Sequence, residues 1–307
     1  PQPSAIFTNF AIVSSGGGEG RPLVVTWDPP AGDQPRQVVL EYLATGAGWE
    51  PIYDLTILEE SGADSQVMFG FDARISNTSL ILDGVEIRLV AGMPGADSEY
   101  RPDMTATQAN IGYAQDQAAA VGGPVAINHV YEVGALIVPQ SEVVRHNLVH
   151  QQLEARRLLV WDARLGQRVD VIYKVFNSTD TPFVSGPVRA YQDGLYVGQD
   201  HIEWTPSGGE GSVTVAGLSD LRVRRTESVE ALGGFRQDER YRHTVRLEIT
   251  NHGGEDVALT VLDEWNRAGT GFSFSHEPQR QGNNVLRWEL SVPAGEQMVV
   301  QYTFVTD

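Results

Sequence analysis

The run Arg242-His243-Thr244-Val245-Arg246-Leu247-Glu248-Ile249-Thr250 alternates polar and apolar side chains residue by residue. A period of two belongs to an extended strand, so Val245, Leu247 and Ile249 face a core while Arg246 and Glu248 face water. The same grammar recurs on both sides. Leu23-Val24-Val25-Thr26-Trp27, Val38-Val39-Leu40-Glu41-Tyr42-Leu43 and Val171-Ile172-Tyr173-Lys174-Val175-Phe176 are short and β-branched or aromatic. Each is bounded by Gly, Pro, Asp or Asn. Between Val188-Arg189-Ala190-Tyr191 and Leu195-Tyr196-Val197 stands Asp193-Gly194, which predicts a tight hairpin, because a type I′ turn needs positive φ at both central residues.

A strand followed by an asparagine turn occurs three times, ending at Asn77, Asn177 and Asn251. Asparagine tolerates the left-handed region and bonds its own backbone two residues on, so it ends a strand and starts a turn. A last pair, Val285–Leu290 and Met298–Phe304, is joined by Pro293-Ala294-Gly295-Glu296. This spacing predicts an all-β chain of two immunoglobulin-like β-sandwich domains in tandem, residues 1–177 and 178–307. Residues 93–128 are Ala-, Gln- and Gly-rich and read as a surface excursion, with a short helix over Ala114–Ala120.

Composition narrows the class. The chain has 307 residues with 22 basic and 40 acidic side chains, a net charge of −18. Such a balance argues against nucleic acid, which needs a basic footprint. The absence of cysteine excludes disulfides, cysteine-ligated metal and a thiol nucleophile. No apolar run reaches the ~18 residues of a membrane span. The first methionine is Met68, which leads us to expect a removed leader or a fragment. An extracytoplasmic setting, secreted or at the cell surface, is the expectation.

Familiar enzyme signatures are missing: no Gly-x-Ser-x-Gly elbow, His-Glu-x-x-His helix, phosphate loop or dinucleotide fingerprint is present. Ser14–Gly20 is glycine-rich but lacks the lysine of a phosphate cradle and reads as a flexible turn. His146, His150 and Glu154 would share one helix face and could hold a metal there. On a strand, four residues separate the two imidazoles by about 13 Å, too far for one ion, and this surface reading is preferred. Glu59-Glu60, Glu255-Asp256 and Asp263-Glu264 read as solvated carboxylates. Asn77 and Asn177 open glycosylation sequons, which chance alone explains. No catalytic residue, cofactor or metal ligand is expected.

Two segments point to contact with other proteins. Residues 1–100 carry 4 basic and 14 acidic side chains, a net of −10, whereas 220–246 carry 7 arginines against 5 acids, a net of +2. Arg222, Arg224, Arg242 and Arg246 in that island are read either as cross-strand partners of glutamates or as a patch docking on an acidic surface, a copy of the chain included. The apolar N-terminus, with Ile6, Phe7, Phe10 and Ile12, either closes its own sheet or adds a strand to a neighbour's.

A family resemblance rests on an ordered series of motifs. These are Trp49-Glu50-Pro51-Ile52-Tyr53-Asp54-Leu55 after Tyr42-Leu43, Ala73–Thr78, Gly84–Leu89, Gly186–Gly198, and Leu286–Leu290 with Pro293–Glu296. Over residues 37–307 the chain resembles the mucoidy inhibitor A-like family, domain of unknown function 4139. The resemblance implies an all-β fold in an envelope or exported setting, with no activity or catalytic residues to carry over. The family's usual N-terminal domain and coiled coil have no counterpart in this chain. Trp49 and Tyr53 share a face if the strand is regular, and Pro51 between them suits an edge or bulge.

These readings converge on a non-enzymatic, exported protein that works by protein–protein contact as a homo-oligomer or with another protein, self-assembly by N-terminal strand addition being one route. A binding module for a ligand, glycan or calcium is the alternative.

Overall fold

A computed structural model of the chain describes residues 9–12, 23–26, 46–78, 80, 82–91, 129–233, 240–265, 268–282 and 284–306. Every helix or strand among them is a strand. In chain order these are β1 (Asn9–Ile12), β2 (Leu23–Thr26), β3 (Ala47–Ser61), β4 (Asp64–Asn77), β5 (Leu82–Ala91), β6 (His129–Val138), β7 (Glu142–Asp162), β8 (Val169–Phe176) and β9 (Gly186–Gln192). There follow β10 (Leu195–Ile202), β11 (Glu210–Gly217), β12 (Leu221–Ala231), β13 (Tyr241–Asn251), β14 (Val257–Glu264), β15 (Thr270–Phe274), β16 (Gln279–Gln281), β17 (Val285–Val292) and β18 (Gln297–Thr306). The all-β expectation holds. The excursion at 93–128, with its short helix, lies outside the described residues.

The chain divides into two compact units, interleaved in sequence. One takes Pro1–Glu50 and Ala73–Leu148, the other Pro51–Asp72 and Val149–Asp307. Both sides of the expected boundary at 177/178 therefore fall in the second unit. The physical reason lies in Asn177 itself, whose buried amide donates to the carbonyls of Thr205 and Pro206 and so ties that point to chain some 28 residues on.

In the first unit β5 and β6 form an antiparallel pair, with Leu89 opposite Tyr131 and both buried. Trp49 donates its indole N–H to the Val90 carbonyl at 3.2 Å and meets the Tyr131 ring edge-on.

Two of the cores of the second unit bear on the site. In one, Tyr53 stacks on Phe71 at 4.6 Å and lies close to Phe69 and Phe183, all four fully buried. Its hydroxyl donates to the Val184 carbonyl at 2.7 Å, which satisfies the polar end of an otherwise apolar ring. In the other, two sheets stack. Order β12-β13-β18-β15 makes a four-stranded sheet. Its inward residues Val245, Leu247, Ile249, Val300 and Tyr302 are buried, as the alternation predicts. Opposite them lie Leu259 and Val261 of β14 and Leu286 and Trp288 of β17, with Trp288 stacked on Tyr302 at 6.0 Å. Parallel pairings join β3 to β9 and β7 to β14.

Candidate functional site

The arginine island forms the β12–β13 hairpin, paired in register from Leu221 opposite Asn251 to Ala231 opposite Tyr241. On its outer face Arg242 reaches Glu230 at 3.9 Å and Arg246 reaches Glu248 at 2.8 Å. The first pair crosses from β13 to β12, as in the cross-strand reading, whereas the second lies along β13 itself, with Glu248 half-buried. Arg222 and Arg224 are exposed as well, two residues apart on the same face of β12, and neither makes an ion pair among the described residues. The structure thus brings the four arginines onto one face but engages only two of them. At the other end of the chain, Phe10 and Ile12 sit in β1, which pairs with β2 of the same chain, Phe10 opposite Val25 and Ile12 opposite Leu23. Ile6 and Phe7 lie outside the described residues.

The odd arginine of the hairpin, Arg225, points inward and builds a network that the sequence did not reveal. Its Nε–H donates to both oxygens of Asp263 at 3.1 and 3.0 Å, and its Nη1 donates to Glu227 at 3.0 Å. Asp263 also accepts from the Tyr302 hydroxyl at 2.8 Å and from the Glu264 N–H at 2.8 Å. Glu227 meets His243 Nδ1 at 2.9 Å, and His243 Nε2 meets Thr306 Oγ1 at 3.0 Å. The imidazole lies flat on Phe304, ring centres 4.5 Å apart. Glu227, His243 and Thr306 have the connectivity of an orienter, base and hydroxyl. Both imidazole nitrogens, however, are spent in holding β12, β13 and β18 together.

Asp263 is buried to 1 % exposure because it continues the inward set Leu259, Val261, Asp263 on β14. The reading of Asp263-Glu264 as a solvated pair is therefore corrected for its first member, since neighbours on a strand point to opposite faces and only Glu264 is exposed. Burial lifts the Asp263 carboxyl above its ordinary value, against the pull of Arg225, Tyr302 and the Glu264 N–H. For Arg225, burial works to lower the pKa, and the charge of Asp263 with the hydrogen bonds of both carboxylates overrides it and holds the guanidinium above its usual range. Tyr302 is raised by burial and by the charge of Asp263. This network floors an open cleft of about 820 Å³, with Arg164, Trp265 and Asn284 on its walls. Arg164 is itself held by Asp162 at 2.5 Å. The cleft is polar: Arg225 answers Asp263 and Glu227, Arg164 answers Asp162, and the Glu264 carboxylate accepts from the Asn284 amide at 2.6 Å.

The remaining candidates take structural roles. β7 is a continuous strand through His146, His150 and Glu154, as preferred from the sequence, and His150 and Glu154 are exposed. Among the described residues no group of three His, Asp or Glu side chains gathers as a metal site. The three turn asparagines are buried hubs. Asn77 donates to Leu80 and Val138 carbonyls at 2.8 Å and accepts from the Leu80 N–H at 2.9 Å. Asn251 donates to Glu255 and Val292 at 2.8 and 3.1 Å and accepts from the Gly253 N–H at 2.9 Å. With 1 % and 0 % exposure, the Asn77 and Asn177 amides are closed to glycosylation in the folded chain.

The comparison with known families bears on the same residues. The family described as domain of unknown function DUF4139 matches residues 38–307. The chain belongs to the DUF4139 family. No curated protein and no solved structure matches it. Within the DUF4139 region the motif residues are packing residues. A Cβ at Gly186 would lie 2.6 Å from Pro51 Cγ and 3.1 Å from the Tyr53 ring, so the Gly186–Gly198 motif and the Trp49–Leu55 motif meet where only glycine fits. Asp193 and Gly194 take φ of 51° and 75°, the two positive values that the hairpin requires.

Proposed function

We propose that this DUF4139 protein is a non-enzymatic contact protein that associates with copies of itself through the arginine-bearing side of its four-stranded sheet. One observation carries the reading. Arg222 and Arg224 stand exposed and unpaired among the described residues, on a chain whose net charge is −18. At short range these guanidiniums attract an acidic patch of another copy, against the repulsion between the two net charges. Strand addition by the N-terminus is the weaker route, since β1 already has a partner in β2.

The resemblance to the mucoidy inhibitor A-like branch supports an extracytoplasmic site at the cell envelope. The polar cleft suits a stabilising role, because Arg225 is paired with Asp263 and Arg164 with Asp162.

Sedimentation velocity of the full chain at low and high salt tests the reading. Species heavier than the monomer are expected at low salt and should weaken as salt screens the contact. A monomer at every concentration in low salt would sink it.

A further inference from the structure

β12 is an edge strand of eleven residues: in the sheet order β12-β13-β18-β15 it has a neighbour on one side only among the described residues. It is paired along its whole length with β13 and so is held straight and in register. Its free edge is exposed over its second half, where Val229 is 56 % exposed. A long exposed edge invites pairing with another chain, and natural proteins usually block it with bulges, prolines or unmatched charge. β12 has no proline, and its charges are arranged in another way.

Reading Leu221-Arg222-Val223-Arg224-Arg225-Thr226-Glu227-Ser228-Val229-Glu230-Ala231 about Thr226, each residue has a chemical complement at the mirror position. Arg222 answers Glu230, Val223 answers Val229, Arg224 answers Ser228, Arg225 answers Glu227, Leu221 answers Ala231, and Thr226 answers itself. Two antiparallel copies related by a two-fold axis place these residues directly opposite one another. The adjacent registers fail on charge. Centring on Arg225 sets two guanidiniums against each other on the axis, and centring on Glu227 does the same with two carboxylates.

We propose that the chain forms a two-fold dimer in which β12 pairs antiparallel with β12 of a second copy, centred on Thr226, making one continuous eight-stranded sheet. The proposal rests on the self-association reading above and adds to it the strand and the register. In the dimer the outer-face Arg222 gains Glu230 of the second copy, and Arg224 lies diagonal to the same carboxylate. Glu230 is free to respond, since its side chain is 73 % exposed and its bond to Arg242 is long, at 3.9 Å. The Arg225–Glu227 pairs stay within each copy and come to lie opposite each other on the inner face.

The chain contains no cysteine, so a single introduced thiol reports register directly. Thr226→Cys places two thiols face to face across the axis, where strand partners lie about 4.5–5.5 Å apart at Cα, within disulfide reach. Ser228→Cys puts its thiols four residues out of step, about 13 Å apart along the strand. Mild oxidation of the full chain at about 50 µM should therefore yield a covalent dimer for T226C and none for S228C.

In sedimentation equilibrium, R222E and E230R should each raise the dimer dissociation constant at least about tenfold. R222E/E230R should return it to within about threefold of the parent. Circular dichroism confirms that each variant is folded. A chain that associates while R222E and E230R behave as the parent, or whose T226C form does not cross-link, overturns this dimer and leaves self-association standing. A chain monomeric throughout overturns both.

Discussion

The Nε–H of Arg225 on β12 lies 3.1 and 3.0 Å from the two carboxylate oxygens of Asp263 on β14, and this bond spans the two stacked sheets. Asp263 is 1 % exposed and Arg225 28 %, so the two members of the pair are unequal. Removing the cation leaves a buried carboxylate with only the Tyr302 hydroxyl and the Glu264 N–H, whereas removing the carboxylate leaves a half-buried Arg225 with Glu227. We expect Arg225→Met to cost about 3–5 kcal/mol and Asp263→Asn clearly less. The double variant R225M/D263L should recover most of the loss. Urea unfolding of the four proteins as a double-mutant cycle measures this, and equal losses from the two single variants would contradict it.

The same network sets an acid dependence, and its two carboxylates act in opposite senses. Burial works to raise Glu227, but His243 and Arg225 prevail and hold its folded pKa below the ordinary 4.5. Its stabilisation is therefore present above pH 4.5 and is lost as pH falls through the folded value. Asp263 is raised by burial above its ordinary 3.8. Its contribution is present below that value and is lost as pH rises through the folded one, which partly offsets the loss from Glu227. Unfolding free energy measured from about pH 6 to about pH 3 should fall less steeply in E227Q and more steeply in D263N than in the parent.

Asn177 is 0 % exposed and its amide donates to the carbonyls of Thr181, Thr205 and Pro206 at 3.0 to 3.3 Å while its oxygen accepts from the Thr179 N–H and hydroxyl. Alanine strips the Thr179 N–H of its acceptor and takes one of two donors from the Thr181, Thr205 and Pro206 carbonyls, which keep the Thr179 hydroxyl, the Phe183 N–H and the Gly209 N–H. We expect N177A to cost about 1–3 kcal/mol. N177D, which keeps the acceptor and turns the donor into a second acceptor, should be no better. A midpoint within about 0.5 kcal/mol of the parent would show that water replaces the amide there.

How far the sequence was legible follows from these residues. Period two was enough to place Val245, Leu247 and Ile249 inward, because alternation is a property of the strand alone. Asp193-Gly194 and the turn half of each asparagine's bonding were legible for the same reason, since they act on backbone within a few residues, whereas the asparagines' bonds to Val138, Thr205 and Val292 were not. The Arg225–Asp263 pair was not, since its partners are 38 residues apart and belong to different sheets. The one available signal was Asp263 in phase with Leu259 and Val261, a charge at an inward position. The parallel contacts of β3 with β9 and β7 with β14 were equally hidden, because no hairpin joins their strands. The consecutive domain boundary suffered from the same gap, since nothing local says that β3, β4 and β7 supply residues to two units.

Gly186 tests the most specific of the family motifs. A methyl group there would approach Pro51 Cγ to 2.6 Å and Cβ to 3.1 Å, and the Tyr53 ring to 3.1 Å. Tyr53 cannot yield easily, as it is packed among Phe69, Phe71 and Phe183 and anchored by its hydroxyl to Val184. Pro51 is the side chain that can be shortened. G186A should therefore cost about 1–3 kcal/mol through overpacking. In G186A/P51A the 2.6 Å contact is gone and only the milder ones remain, so the pair should recover part of the loss, with thermal unfolding as the readout. Substitution of Pro51 alone should cost less than G186A. Were the double variant to lose the sum of both, the glycine would be serving its own backbone rather than the proline above it.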